Sequence, residues 1–152
     1  MTDHVQRARD LFGQGFNCAQ SVFAAFADET GMDTETSLKL AAPFGGGIAR
    51  LREVCGAVTG MAMALGIKYG YTDPTDAQGR LTHYALVQSL VKAFEKKNGS
   101  LICRELLGLD KSGNPISPSG MQSAPHSPLC AGLVENAAAI LEEYIKSQAV
   151  QV

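Results

Sequence analysis

The sequence predicts an all-α fold, a single-domain bundle of about six helices with a glycine-rich loop before a buried central helix. Apolar residues recur at spacings of three and four along most of the chain, and few stretches alternate as a half-buried strand does. Glycines and prolines separate these periodic segments. Because 45% of the 152 residues are apolar, the chain has enough apolar side chains to form one hydrophobic core. We therefore expect residues 1–152 to form a single helical four-cysteine domain.

Three helices are predicted before the loop, each with a polar cap and a glycine or proline at its end. The caps are Thr2, Asn17, and Asp33 or Thr34. The residues that end these helices are the Gly13 to Gly15 turn, Gly31 and Pro43. The second helix runs from about Cys18 to Thr30. His4, near the start of the first helix, is expected to be exposed to solvent.

The segment Phe44 to Arg50 reads Phe-Gly-Gly-Gly-Ile-Ala-Arg and is predicted to be a glycine-rich loop. The apolar segment Cys55 to Ile67 follows it and is predicted to be the buried central helix. Gly56 and Gly60 lie one turn apart on this helix, although each costs about 1 kcal/mol relative to alanine. We therefore expect a close helix crossing, or a site that needs room, at these two glycines.

The second half of the chain predicts one long helix, one short helix and a final long helix. The long helix covers about Ala77 to Lys97 and ends at Gly99, with an inward stripe of Tyr84, Val87, Val91 and Phe94. The short helix is capped by Ser100, covers Leu101 to Leu107 and ends at Gly108. Residues Leu109 to His126 are predicted to be a long loop, a candidate cover, and Ser127-Pro128 opens the last helix.

Charge and hydropathy exclude several classes of function. The formal charge is −2, from 13 basic and 15 acidic residues without a basic block, so we expect no nucleic acid partner. The longest nearly apolar run, Val54 to Ile67, is too short to span a bilayer, so no membrane association is expected. The first residues lack the pattern of a secretory signal, which favours a cytoplasmic location.

The four cysteines are the candidate site, because each is predicted to lie in the first turn of a helix. They are Cys18, Cys55, Cys103 and Cys130. Unpaired amide hydrogens and the positive end of the helix dipole favour a thiolate at such positions, which lowers cysteine pKa. Arg50 and Arg52 precede Cys55 and are further candidates for stabilising a thiolate there, or are simply solvated.

Converging helix starts would suit three kinds of chemistry that the residues leave open: thiol–disulfide exchange, a bridged pair, and a metal centre. Four sulfurs would hold an iron–sulfur cluster or a zinc ion. No Cys-x-x-Cys pair is present to select among them. The simplest alternative is that the cysteines are buried as small apolar side chains of a helical interaction module.

The cysteine motifs resemble the C_GCAxxG_C_C family of redox-active proteins. The likeness rests on four motifs in order: Asn17-Cys18-Ala19-Gln20, Phe44-Gly45-Gly46-Gly47 leading to Cys55-Gly56-Ala57-Val58-Thr59-Gly60, Cys103-Arg104-Glu105-Leu106-Leu107-Gly108, and Cys130 before a terminal amphipathic helix. The family label places Gly before Cys, whereas here Cys55 precedes Gly56, an order that we do not count as a departure. The likeness covers nearly the whole chain.

The resemblance implies that the four cysteines are redox-active. Related domains occur in certain multihaem cytochromes, but this chain has no Cys-x-x-Cys-His, so haem attachment does not carry over. The leading hypothesis is a thiol-dependent oxidoreductase in which Cys55 attacks and Cys18, Cys103 or Cys130 resolves the mixed disulfide. The redox partner, the disulfide pairing and the oligomeric state are left open by the sequence.

Overall fold

A computed structural model describes residues 3–116 and 128–150, and within these ranges the chain is all-α, as predicted. Eight α-helices are present, together with a 3-10 turn at Ala42–Phe44. The helices are α1 (His4–Gly13), α2 (Cys18–Ala25), α3 (Ala27–Thr30), α4 (Thr34–Ala41), α5 (Gly56–Tyr69), α6 (Ala77–Asn98), α7 (Cys103–Leu107) and α8 (Pro128–Val150). The number exceeds the predicted six partly because the predicted helix Cys18 to Thr30 is interrupted at Phe26, whose backbone leaves the helical region.

Local capping signals explain several of the helix ends. Asn17 and Gln20 form a capping box at the start of α2, in which the Gln20 amide donates to Asn17 Oδ1 at 2.9 Å and the Asn17 amide donates to Gln20 Oε1 at 3.0 Å. Gly31 and Gly99 adopt left-handed conformations after α3 and α6, as the sequence predicts. The bounds of these helices therefore follow from nearby residues.

Other predicted caps differ from the structure or lie outside it. Asp3 caps α1 by accepting a hydrogen bond from the Gln6 amide at 2.9 Å, whereas the predicted cap Thr2 lies outside the described residues. The predicted cap Ser127 lies outside them as well. Helix α7 begins only at Cys103, because the Ser100 hydroxyl accepts from the Ile102 amide at 3.0 Å in the turn before the helix.

The core is organised around a close crossing of α2 and α5. A β-carbon on Gly60 would lie 2.8 Å from the Ala19 carbonyl oxygen, and one on Gly56 would lie 3.1 Å from the Ala19 nitrogen. Both glycines thus permit backbone contact between the helices, which confirms the close crossing predicted from their spacing. Val22 and Phe23 of α2 pack over the same glycine face.

Helix α8 completes the core by packing against α1, α2, α5 and α6. The largest side chains enclosed by these helices are fully buried. They include Phe23, Phe26, Met61, Leu65, Phe94 and Leu141. Burial of each contributes about 1.5–3 kcal/mol, so this cluster supplies much of the stability that the site requires.

The prediction of an inward stripe along α6 is correct only in part. Leu90 and Phe94 are buried, but Tyr84 is 49% exposed and its hydroxyl lies 3.2 Å from that of Tyr71. Helix α6 packs on α5 and α8, and its buried residues, Leu90 and Phe94, both lie in its second half. The apolar stripe of α6 therefore extends beyond the buried core.

The expectation that His4 is exposed is wrong, since only 4% of the residue is accessible. Its Nε2 lies 3.0 Å from Asp28 Oδ1, its Nδ1 lies 3.0 Å from Glu142 Oε1, and its ring stacks on Phe26 at 4.3 Å. Burial raises the pKa of Asp28, but His4 and Arg7 outweigh it and the pKa is lowered overall. These contacts of His4 with Asp28 and Glu142 connect α1 to α3 and α8.

Among the described helices, none is long and apolar enough to cross a membrane.

The glycine crossing can be tested with two substitutions in the same helix. We expect Gly60→Ala to destabilise the protein by about 1–3 kcal/mol, because its β-carbon would press on the backbone of α2. Gly66→Ala is the matched control, since a β-carbon there meets nothing within 4 Å. It should leave stability unchanged or raise it by up to about 1 kcal/mol. Urea unfolding measures both, and equal effects would contradict the close contact at Gly60.

Candidate functional site

All four cysteines lie at helix starts. Cys18 is the first residue of α2, Cys103 is the first residue of α7, and Cys130 is the third residue of α8. Cys55 is the residue immediately before α5 and occupies its N-cap position. The first turn of each helix is therefore directed at a sulfur or at its neighbours, as the sequence predicts.

A short antiparallel pairing brings α7 beside the start of α5. The Cys55 amide donates to the Leu101 carbonyl at 2.8 Å, and the Cys103 amide donates to the Glu53 carbonyl at 2.6 Å. Cys55 and Cys103 each follow one bridging residue, so they occupy equivalent positions along the two paired segments. This pairing, across about fifty residues of sequence, places the second thiol beside the first.

The sequence does not predict this pairing, because its apolar periodicity indicates only helices. The bridge joins Val54 and Ile102, which are β-branched and immediately precede Cys55 and Cys103. Two β-branched residues in the same position before a cysteine are a weak signal for a paired extended segment. Only the folded core brings the two segments together.

The glycine-rich segment forms a run of left-handed backbone. Gly46 and Gly47 have φ of 69° and 70°, and the run continues through Ile48 at 65°, Ala49 at 47° and Arg50 at 67°. Each non-glycine residue in this conformation costs roughly 1–2 kcal/mol. The run folds the chain back on itself, because the Arg52 amide donates to the Gly46 carbonyl at 3.0 Å.

Gly47 also fits closely against the third cysteine. A β-carbon there would lie 2.8 Å from Cys103 Cβ and 2.6 Å from the Glu53 nitrogen. Its φ of 70° adds a second reason for glycine. The strained segment thus contacts the site directly, and backbone strain of this kind is typical of functional regions.

The four sulfurs share one cavity of about 470 Å³. Cys18, Cys55, Cys103 and Cys130 all contribute to its wall. Of the supporting residues predicted from the sequence, Arg50, Arg52 and Gly56 also line it, whereas Gly60 lies in the contact between α2 and α5. The structure therefore brings together thiols that are up to 112 residues apart in the chain.

The thiols of Cys18 and Cys130 are in contact. They are hydrogen-bonded to each other, and no disulfide joins any of the four described cysteines. Cys18 is partly exposed, while Cys130 is buried. Two reduced sulfurs in contact at the starts of two packed helices need little movement to form a bond.

Burial controls the ionisation of Cys55. It raises the pKa of this thiol to about 11, even though the Ala57 and Val58 amides at the start of α5 act in the opposite direction. The expectation that a helix start lowers the cysteine pKa therefore differs from the structure, because desolvation outweighs the helix amides. At neutral pH Cys55 is a thiol.

The pKa values of Cys18 and Cys103 are raised for different reasons. The hydrogen bond to Cys130 and then burial raise the pKa of Cys18 well above its ordinary value. Burial also raises the pKa of Cys103, but the Arg52 guanidinium, with Nη1 3.7 Å from the sulfur, opposes the rise. Cys103 is thus the thiol whose anion has a cationic partner.

The four thiols line one cavity without forming a compact metal-binding cluster in the described part of the chain. Within residues 3–116 and 128–150, three metal-ligating side chains come within 4.8 Å of one another only at His4, Asp28 and Glu29. Tetrahedral zinc with bonds of about 2.3 Å requires sulfurs roughly 4 Å apart, so the thiols would have to move closer together to hold a zinc ion.

The fold and site define an all-α domain in which four helix-start thiols surround one cavity. The family model described as "Putative redox-active protein (C_GCAxxG_C_C)" matches residues 16–144, and the chain belongs to this family. The match spans all four cysteines and the segments that position them. Searches among curated proteins and among solved structures gave no match.

The buried thiol of Cys55 gives a stability prediction. Since folding raises the pKa of Cys55 from 9.0 to about 11, the folded state holds the proton more tightly. Its contribution is complete below pH 9 and is lost as the pH rises through about 11. When the thiol is fully ionised, the loss should approach roughly 2–3 kcal/mol.

The measurement is urea unfolding of wild type and Cys55→Ala between about pH 8 and pH 11, in a thiol-free reductant. Wild type should lose more stability over this range than the variant, which lacks the titrating group. Other alkaline titrations, including that of Tyr69, are common to both proteins. Parallel profiles would show that Cys55 does not carry the effect.

Proposed function

We propose that the chain is a thiol–disulfide oxidoreductase whose working pair is Cys18 and Cys130. The observation that carries this proposal is the hydrogen bond between these two thiols in a cavity that Cys55 and Cys103 also line. Membership of a family described as redox-active supports the same class of chemistry. The pair exchanges two electrons and two protons when its disulfide forms.

Cys103 is the residue best suited to attack an incoming disulfide. The sequence favours Cys55 for this role, but in the structure Cys55 is 3% exposed and burial raises its pKa to about 11. Cys103 lies at the cavity with Arg52 beside its sulfur, and a thiolate rather than a thiol is the nucleophile. Cys55 then serves mainly in packing at the start of α5.

The proposed reaction has three exchanges. The Cys103 thiolate attacks one sulfur of a disulfide RS–SR, the S–S bond breaks, and RS⁻ leaves to take up a proton. Cys130, which lines the same cavity, attacks the Cys103 sulfur and releases the second RS⁻. Cys18 then attacks Cys130, which regenerates the Cys103 thiol and leaves the Cys18–Cys130 disulfide. The sum is a protein dithiol plus RSSR giving a protein disulfide plus two RSH.

The first test is titration of the reduced protein in glutathione redox buffers. We expect the thiol count to fall from four to two as the Cys18–Cys130 disulfide forms, with a reduction potential within about −220 to −320 mV. Peptide mapping identifies the pair. Cys130→Ser should abolish this couple, because the contact of Cys18 is lost.

Two further variants separate the roles of the remaining cysteines. Cys103→Ser should keep the equilibrium couple but lose most of the rate of reaction with disulfides. Cys55→Ser is the matched control and should keep both. Loss of rate in Cys55→Ser with normal rate in Cys103→Ser would assign the attack to Cys55 instead. Unchanged thiol reactivity in every variant would favour the interpretation that the cysteines are merely buried.

A second candidate function is the binding of an iron–sulfur cluster by the four thiolates. The favouring observation is that four sulfurs line one cavity of about 470 Å³. When bound, such a cluster would supply one-electron transfer. Cys18, Cys55, Cys103 and Cys130 would be its ligands, and metal binding would have to displace their protons.

Anaerobic reconstitution with ferrous iron and sulfide tests this candidate. Bound iron and sulfide in stoichiometric amounts, with visible absorption, should decrease in each of the four Cys→Ser variants if all four are ligands. The comparison of Cys55→Ser with Cys18→Ser is informative, because thiol exchange requires only Cys18 of these two. A protein that remains free of iron and shows the reversible disulfide would reject the cluster.

A further inference from the structure

We infer that the cavity binds anionic low-molecular-weight disulfides, with Arg50 and Arg52 as the residues that recognise the negative charge. This inference rests on the proposed thiol–disulfide function and names the class of substrate for it. The charge of the cavity wall is the starting observation. Both arginines line the wall, and the described residues that line it include no Asp, Glu or Lys.

The two arginines are not neutralised by neighbouring carboxylates within the described parts of the chain. Arg7, Arg9 and Arg104 each form an ion pair, whereas Arg50 forms none and Arg52 directs its guanidinium to the Cys103 sulfur. Residues 117–127 contain no Asp or Glu that could supply a carboxylate. The cavity therefore carries two positive charges that an anionic ligand would balance.

The carboxylate nearest in sequence is already engaged. Glu53 pairs with Arg104, with 3.2 Å between Oε2 and Nη1. Arg104 also donates to the Arg52 carbonyl at 3.2 Å, which holds the Arg52 backbone in place. Because Glu53 pairs with Arg104, the Arg52 guanidinium can contact the Cys103 sulfur and a ligand.

The left-handed segment adds backbone donors to the same wall. Gly46 and Gly47 line the cavity, and neither amide donates a backbone hydrogen bond within the described residues. Successive free amides in a tight turn favour anions. The segment that places Arg50 at the cavity thus leaves these donors available.

Size favours a small molecule over a folded protein as the partner. A volume of about 470 Å³ lies within the range of about 300–1,000 Å³ that is typical of small-molecule sites. Cys103 is only 8% exposed and is reached through this cavity. A short disulfide with a carboxylate on each arm can place its S–S bond at Cys103 while a carboxylate contacts Arg50.

The reaction with such a molecule balances without another reagent. Cys18 and Cys130 lose two electrons and two protons and form their disulfide, and the substrate RS–SR is reduced to two RSH. Arg52 faces the attacking Cys103, so both attack and binding depend on it. Arg50 contacts no cysteine among the described hydrogen bonds and is the better probe of binding alone.

The experiment compares three disulfides of similar size and different charge. They are 3,3′-dithiodipropionate, which is a dianion, bis(2-hydroxyethyl) disulfide, which is neutral, and cystamine, which is a dication. The rate of thiol loss from the reduced protein is measured for each and divided by the rate of the same reagent with dithiothreitol, which removes differences in intrinsic reactivity. We expect the dianion to react about tenfold faster than the neutral reagent, and the dication more slowly.

Charge-removing variants assign the preference. Arg50→Gln should reduce the ratio of dianion to neutral rates by about threefold, because it removes one of the two positive charges of the cavity wall. Arg52→Gln should reduce the ratio and also slow all three reagents, because Cys103 loses its cation. Lys92→Gln on α6, away from the cavity, is the matched control and should leave the ratio unchanged.

Adipate, a shorter dicarboxylate without an S–S bond, gives a readout that does not require redox chemistry. It should bind the wild type in calorimetry and bind Arg50→Gln more weakly. Equal rates with the dianion and the neutral reagent would overturn the anion preference while leaving the thiol function intact. Failure of all three disulfides to react, with adipate still bound, would instead reject the thiol function and retain the anion site. Absence of adipate binding would overturn the inference.

Discussion

The contact between the backbones of α2 and α5 at Gly56 and Gly60 is the constraint on which the rest of the structure depends. It fixes how far the two helices slide along one another, and hence the position of Cys18 at one helix start relative to Cys55 at the other. Gly56 touches both the Ala19 nitrogen and Cys18 Cβ, so the packing contact and the site share a residue. The left-handed segment, α7 and α8 are then arranged around an already fixed pair of helix starts.

The left-handed backbone at the site lowers the stability of the folded state, and the core must offset this cost. Three non-glycine residues of the left-handed run cost roughly 1–2 kcal/mol each. Against these stand the fully buried side chains of α2, α5, α6 and α8. Strain placed beside reactive groups and supported by a rigid core is typical of sites selected for function rather than for stability.

The predictable parts of this structure are those that depend on neighbouring residues. Asn17 with Gln20, Gly31 and Gly99 mark helix ends through local hydrogen bonds and left-handed turns, and the spacing of Gly56 and Gly60 predicts the close crossing. The break at Phe26, the burial of His4 and the exposure of Tyr84 depend on contacts with distant helices. The pairing of Cys103 with Glu53 likewise joins segments that only the folded core brings together. Sequence motifs therefore identify the cysteines, but the burial and neighbours of each sulfur are known only from the structure.

In the proposed thiol–disulfide exchange, the order of steps depends on how each sulfur is stabilised as an anion. In the reduced protein, burial raises the pKa of Cys55 and Cys103, and the hydrogen bond between Cys18 and Cys130 helps to raise that of Cys18, so the resting site is a set of thiols. A buried thiolate is costly unless a partner offsets desolvation. Among these four, Cys103 has a guanidinium within 3.7 Å of its sulfur, which makes it the natural point of entry. In the proposed exchange, Cys130 loses its proton when it attacks Cys103, and Cys18 loses its proton when it attacks Cys130. The Cys18–Cys130 pair would thus hold the electrons in the reduced protein, and Cys103, assisted by Arg52, would pass them to the substrate.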